Sequence, residues 1–185
     1  MTNDNFKSSE KFSDDKYKVY DIANDKHNLR RITCDSDAIC LIPFDTSSDK
    51  IKNIYLARFV DYLNNNNEGH TCIFVDCKKE GYDSQFEEIS DIIKNELNIE
   101  PDVNDIYYLG KINHNLPFTK SYKCYGLNLD NYSRDLNGFS LDISDDEKKS
   151  KLYSLDKVKF NRVLSGEIDD SLCMSAALLL MSYLN

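Results

Sequence analysis

The apolar positions of this chain fall into short blocks set between polar segments. The most continuously apolar strand-like block, Ala38 to Phe44 (AICLIPF), reads as a strand buried on both faces, because its residues are apolar in an almost unbroken run rather than alternating. Further strands are predicted at Lys18 to Ile22, Ile51 to Val60, Thr71 to Val75, Asp105 to Ile112 and Ser121 to Leu129. Asn64 to Gly69 reads as a polar loop and Asp76 to Asp83 as a charged turn. Ser84 to Leu97 switches to a helical period, with Phe86, Ile89, Ile93 and Leu97 on one face, so these apolar side chains are expected in the core. Ser84 is a suitable N-cap, Glu87 its capping-box partner, and Pro101 a stop. Asn131 to Lys149 is polar. Two closing helices are predicted, at Leu155 to Leu164 after Ser154 and at Leu172 to Leu184 after Asp169 and Asp170. In the last of these, Met174, Leu178 and Met181 have core spacing. The order is mixed α+β rather than alternating βαβ.

Length and composition narrow this picture. The 185 residues suit one domain, assigned to residues 17–185, preceded by a flexible arm at residues 1–16. Charged residues make up 30%, hydrophobic residues 41%, and the formal charge is -9, which disfavours direct contact with a nucleic-acid backbone. No opening segment resembles a secretion signal, and Ala176 to Met181 is too short to span a bilayer, so a cytoplasmic setting without membrane attachment is expected. The six cysteines form no CxxC pair and His is scarce, which argues against a zinc site. Cys40 and Cys72 lie in apolar runs and are expected to be small core residues.

The segment Cys77 to Ile99 resembles a Nudix box. The family pattern is Gly, five residues, Glu, seven residues, then Arg-Glu-U-x-Glu-Glu-x-Gly-U, with U apolar. This chain reads Cys77, five residues, Asp83, seven residues, then Asp91-Ile92-Ile93-Lys94-Asn95-Glu96-Leu97-Asn98-Ile99. Ile93, Ile99 and Glu96 match, Asp83 is a conservative stand-in, and Cys77, Asp91, Ile92, Asn95 and Asn98 depart. A register through Gly81 and Glu87 fits the first half and spoils the second. The hairpin-like IKNIYLARFV before the box, and DIYYLGKI and YKCYGLNL after it, fit the family's order. Val163 to Leu180 (VLSGEIDDSLCMSAALLL) is similar to the closing segment of ADP-ribose pyrophosphatase relatives. The resemblance implies a mixed sheet packed between a mid-chain helix and C-terminal helices.

It also implies a chemistry that these residues only partly support. Nudix hydrolysis uses a divalent metal, magnesium, to neutralise a diphosphate and activate water. Magnesium wants hard oxygen ligands. The positions implied to supply them are Ile92, Asn95 and Glu96, of which one has no donor and one is neutral. Glu88 shares a face with Ile92, but it lies roughly 12 Å from Glu96 along the axis at about 1.5 Å per residue. The remaining candidates are Glu96 and Asp83 as remnant catalytic groups, and Glu96, Asn95 and Glu80 as metal ligands. The loop acids Asp145, Asp146 and Glu147 complete a metal site only if the fold brings them close. Glu96 also reads equally as a carboxylate at the rim of the core, reaching outward.

Two functions follow. One is a catalytically impaired Nudix-fold subunit, requiring no cofactor, that binds a protein partner or its own copies and keeps a place for a nucleotide-type small molecule. The other is a divergent magnesium-dependent hydrolase of nucleoside diphosphate-linked compounds such as ADP-ribose. For the first, Phe6 and Phe12 are the expected partner contacts, being the aromatic anchors of an otherwise polar arm.

Overall fold

The computed structural model describes residues 7–13, 17–23, 28–34, 37–61, 67–77, 84–114, 118–132 and 154–184. In chain order its strands are β1 Lys7–Ser13, β2 Tyr17–Ala23, β3 Asn28–Cys34, β4 Ala38–Ser47, β5 Lys50–Asp61, β6 Asn67–Thr71, β7 Ile73–Asp76, β8 Ile106–His114, β9 Phe118–Asn128 and β10 Ser154–Lys159. The helices are α1 Gln85–Leu97, α2 Phe160–Leu164 and α3 Ser171–Leu184, with a 3-10 turn at Val103–Asp105.

β4 is the centre of a mixed sheet. It runs parallel to β9 and antiparallel to β5 and β7, while β8 pairs antiparallel with β9. β5 also carries β6 and β10, both antiparallel. β1, β2 and β3 form an antiparallel meander, joined to the rest where Ile32 and Thr33 lie parallel to Phe118 and Thr119 of β9. The two-residue period of β4 then divides the core. Ile39 and Leu41 enter a cluster covered by Ile89, Ile92, Ile93 and Leu97 of α1. Cys40, Ile42 and Phe44 enter a second cluster covered by Val163 of α2 and by Leu172, Cys173, Ala176, Ala177 and Leu180 of α3. The sheet is thus packed between the mid-chain helix and the C-terminal helices, as expected. Every residue from Ala38 to Phe44 is buried, which is why that block reads as continuously apolar.

Local chemistry sets the helix ends. The Ser84 Oγ accepts from the Glu87 backbone N–H at 3.2 Å, capping α1. Asn98 closes it in the left-handed region (φ 54, ψ 38) and donates its N–H to the Lys94 carbonyl. On the other side, α3 approaches β9 at Gly126, where a Cβ would lie 3.2 Å from both Leu180 Cδ1 and Phe44 Cε1. The glycine makes room for that contact.

Several expectations are corrected. Ser154–Lys159 is a strand, not the start of a helix: pairing with the edge of β5 outweighs a weak helical pattern, and Val158 and Phe160 point alternately into the α3 side. Asn67–Thr71 is a strand that begins inside the expected polar loop Asn64 to Gly69 and runs to Thr71, held by backbone pairing to β5. Asn28–Cys34 was not anticipated as a strand. Lys7–Ser13, expected as part of an unstructured arm, pairs along its length with β2. Phe86 is exposed although Ile89 and Ile93 are buried. It shares their face but sits in the first turn of α1, so axial position rather than helical phase decides its burial. Leu178 is exposed and Met174 and Met181 are half-buried, because α3 is apolar on all sides and only one side meets the sheet. Among the described residues, no helix is long and apolar enough to cross a membrane.

Candidate functional site on the α1 side of the sheet

The box-like segment can now be placed. Ile93 and Ile99, the matching apolar positions, are both buried in the cluster under α1. Asn98 stands where the family pattern has Gly and adopts the left-handed geometry that a helix-terminating glycine supplies. Asn tolerates that region better than other non-glycine residues, so this departure from the pattern through Cys77 keeps the backbone.

The same register fixes what faces where. Ile92 is buried and belongs to the apolar cluster. Asn95 is exposed and Glu96 is half-buried. Glu88, a turn before Ile92, is buried. α1 therefore brings together Asn95 and Glu96 but puts a hydrocarbon where a third ligand is implied. Glu80 and Asp83 lie outside the described residues, as do Asp145, Asp146, Glu147 and Phe6. Phe12 is described and exposed on β1. Among the described residues, no group of three His, Cys, Asp or Glu side chains is placed to hold a metal ion. The donors on α1 do not suit magnesium, since Glu88 and Glu96 are two turns apart and Asn95 contributes no charge.

Two polar features stand on this face, one weighed from sequence only by the distance of Glu88 from Glu96 and the other not singled out from sequence. The first surrounds Glu88. Burial pushes the Cys77 thiol above its ordinary value, and the nearby Glu88 charge adds to the effect. Tyr125 is pushed up to about 12 by burial, with Tyr108 and Glu88 contributing. Cys77 is fixed by its N–H donating to the Asp37 carbonyl at 3.0 Å. Lys111 pairs with Asp37 at 3.4 Å beside this corner, while Lys120 pairs with Asp76 on the other face of the sheet.

The second is centred on Asp45. Its Oδ1 accepts from the Asn53 backbone N–H at 3.1 Å and from Asn53 Nδ2 at 2.7 Å. Its Oδ2 accepts from Asn53 Nδ2 at 3.0 Å and the Tyr55 hydroxyl at 3.0 Å, and pairs with Lys157 Nζ at 2.9 Å. Burial alone would raise the Asp45 pKa, but the bonds from Lys157, Asn53 and Tyr55, with the Lys157 charge, hold it below the ordinary carboxylate range. A carboxylate has about four lone-pair sites. Those of Asp45 are taken up by protein donors from β5 and β10, so this group ties three strands together rather than offering itself to a metal. Only the registers that set Asp45 opposite Asn53 and Lys157 opposite Tyr55 could have revealed it, and the second needs the pairing of β10 with β5.

A mixed sheet between one mid-chain helix and C-terminal helices, with a box-like helix capped at the family's glycine position, is a Nudix-type fold. A solved ADP compounds hydrolase has this fold, with a TM-score of 0.58 at 12% identity over 97% of this chain and 93% of that one. An Ap4A hydrolase of C. elegans, solved as a binary complex, matches at TM-score 0.47 and 12% identity, over 80% of this chain and 97% of that one. The C-terminal domain of mouse MUTYH, solved with human PCNA, matches at 0.48 and 9%, over 80% and 89%. The first carries the assignment of fold; at this identity it speaks to fold alone. No protein-family model matches the chain, and no curated protein matches its sequence.

Proposed function

We propose that this chain is a Nudix-fold binding or assembly subunit with impaired pyrophosphohydrolase chemistry. The observation that carries the reading is Ile92. It occupies a position where the family resemblance implies a metal-binding carboxylate, and it is packed into the core beneath α1. A single substitution back to glutamate would bury a charge there, so the site has been committed to packing. Asn95 removes a second charge. The protein then acts through what it contacts: protein partners or further copies of itself, with a nucleotide-type small molecule as a ligand that is held rather than cleaved.

The test combines magnesium calorimetry with product release from ADP-ribose. The expected result is weak magnesium binding and no turnover near the usual enzyme range of about 1 per second or more. Turnover in that range would overturn the proposal and favour the second reading, a divergent hydrolase of nucleoside diphosphate-linked compounds. That reading has one supporting feature, the buried carboxylate of Glu88 near buried Tyr125 and half-buried Cys77. In that case Glu88→Gln and Glu96→Gln should each lower the rate by about 100-fold, as for loss of an acid–base or ligand group.

A further inference from the structure

Four of the cysteines converge on the α3 side of the sheet, away from the box-like helix. Cys40, Cys72, Cys124 and Cys173 are all fully buried in one cluster. Cys40 and Cys124 are directly opposite on the parallel strands β4 and β9. The thiols of Cys124 and Cys72 both lie near enough to act on the Cys40 thiol. The Cys72 thiol in turn donates to Cys173 Sγ at 3.6 Å. The thiols thus run in a row, Cys124–Cys40–Cys72–Cys173, from the sheet to the first turn of α3.

We propose that Cys72 and Cys173 form a modification site, at which hydrogen peroxide converts two thiols into a disulfide that bolts α3 to the sheet. Their separation is within rotamer adjustment of a bond of about 2.05 Å. Backbone freedom selects this pair over its neighbours. Cys40 and Cys124 are held side by side by ladder hydrogen bonds on both strands. Cys72 instead sits in the one-residue link between β6 and β7, and Cys173 in the first turn of α3, where its N–H donates to Asp170 Oδ1 at 2.7 Å. Both can shift without breaking the sheet.

In the step itself, one thiol loses its proton and its sulfur attacks peroxide. The O–O bond breaks, leaving a sulfenic acid, and the hydroxide released takes up a proton to become water. The second sulfur then attacks the sulfenic sulfur, the S–S bond forms, the S–O bond breaks, and a second water leaves. Two electrons pass from the two sulfurs to peroxide. Neither thiol reacts in the closed protein: both are without solvent contact, and the bonded Cys173, with burial, pushes the Cys72 thiol well above its ordinary value. Reaction follows opening of the first turn of α3, and helix ends open at low cost.

The full chain carrying Cys77→Ser is treated with peroxide, alkylated in denaturant and digested with trypsin without reductant. Cys72 is then the only cysteine in its tryptic peptide, residues 59–78. The expected product joins that peptide to the one containing Cys173. The oxidised protein should melt roughly 5–10 °C higher, as for a bridge closing a long loop, and reductant should reverse the rise. Adding Cys173→Ala should abolish both the linked peptide and the rise. Complete alkylation of all the buried thiols overturns the proposal, as does a Cys40–Cys124 or Cys40–Cys72 link, or a Cys72–Cys173 link that leaves the melting temperature unchanged.

Discussion

The two faces of the central sheet are built on opposite terms. Under α2 and α3 the core is built of aliphatic, aromatic and thiol side chains, with the buried Lys120 at its margin over the Tyr122 ring. Under α1 a similar apolar cluster is flanked by the buried polar groups Asp45, Asn53 and Glu88 and by two tyrosines, Tyr55 and Tyr125. The same strands serve both, because alternate residues of β4 and β9 go to opposite sides. The difference teaches where function can lie. A face of apolar side chains and thiols can seal, and can change only through its sulfurs. A face that keeps carboxylates out of water must supply them with partners, and those partners can be exchanged for a ligand's.

The largest effect expected from breaking this comparison comes from the cores themselves. Phe44→Ala, on the α3 side, should destabilise the protein by about 3–5 kcal/mol, and Ile93→Ala, on the α1 side, by about 2–5 kcal/mol. Both side chains have no solvent exposure, and urea unfolding measures both. If Ile93→Ala costs less than about 1 kcal/mol while Phe44→Ala keeps its effect, α1 is not an integral wall of the core.

How far each face was legible follows from the same division. β4 was readable because all of Ala38 to Phe44 is buried, and hydrophobicity is what a sequence displays. The ends of α1 were readable because capping and stop signals are local: Ser84 and Pro101 act within a few residues. β6 was not, since Asn67–Thr71 is polar and is a strand only because β5 offers it a ladder. β10 failed for a similar reason, as its six residues take their conformation from a partner about a hundred positions earlier. At the candidate site, the apolar Ile92, at a position where the resemblance implies a ligand, was visible as a residue type. The Asp45 group was invisible, because it joins β4, β5 and β10 and exists only once they are in register. The cysteine row was likewise hidden, its members being spread from position 40 to position 173.

A smaller effect sharpens the α1 side. Asp45→Asn should cost about 1.5–3 kcal/mol near neutral pH, the scale of hydrogen bonds to a charged group. The pH dependence gives the sign. The folded-state pKa of Asp45 is lowered from 3.8. Between those two values the unfolded chain binds the proton more readily, so stability rises with pH there. The contribution is complete above the unfolded value and is lost as pH falls through the folded one. Urea midpoints of the wild type and Asp45→Asn should therefore converge on acidification below about pH 4. A constant gap between them down to the acid limit would mean that Asp45 is not the ionised centre of the group.

The smallest effect on stability is expected at a residue belonging to neither face. Phe12 lies on β1, the outermost strand of the N-terminal meander, and is 54% exposed. Truncating it removes little buried area, so Phe12→Ala should leave the urea midpoint within about 0.5 kcal/mol of wild type. Removing residues 1–16 is a poorer test, since it would strip β1 from β2 and confuse loss of contact with loss of fold. An edge strand offers unpaired backbone groups to another chain, and a bulge is one way to limit that. β1 has such an irregularity between Glu10 and Phe12. Backbone pairing is thus interrupted next to the aromatic ring, which favours docking through the side chain. If the protein works through partners, Phe12→Ala should weaken their association by about tenfold or more, the scale of an aromatic hot spot, while melting stays the same. Sedimentation of the purified chain reads the effect on self-association, and a pull-down from the native host reads the effect on other proteins. Equal association of wild type and Phe12→Ala in both would leave the exposed ring without a contact role, and the assembly reading would then have to rest on α3's outer face, where Leu178 is also exposed.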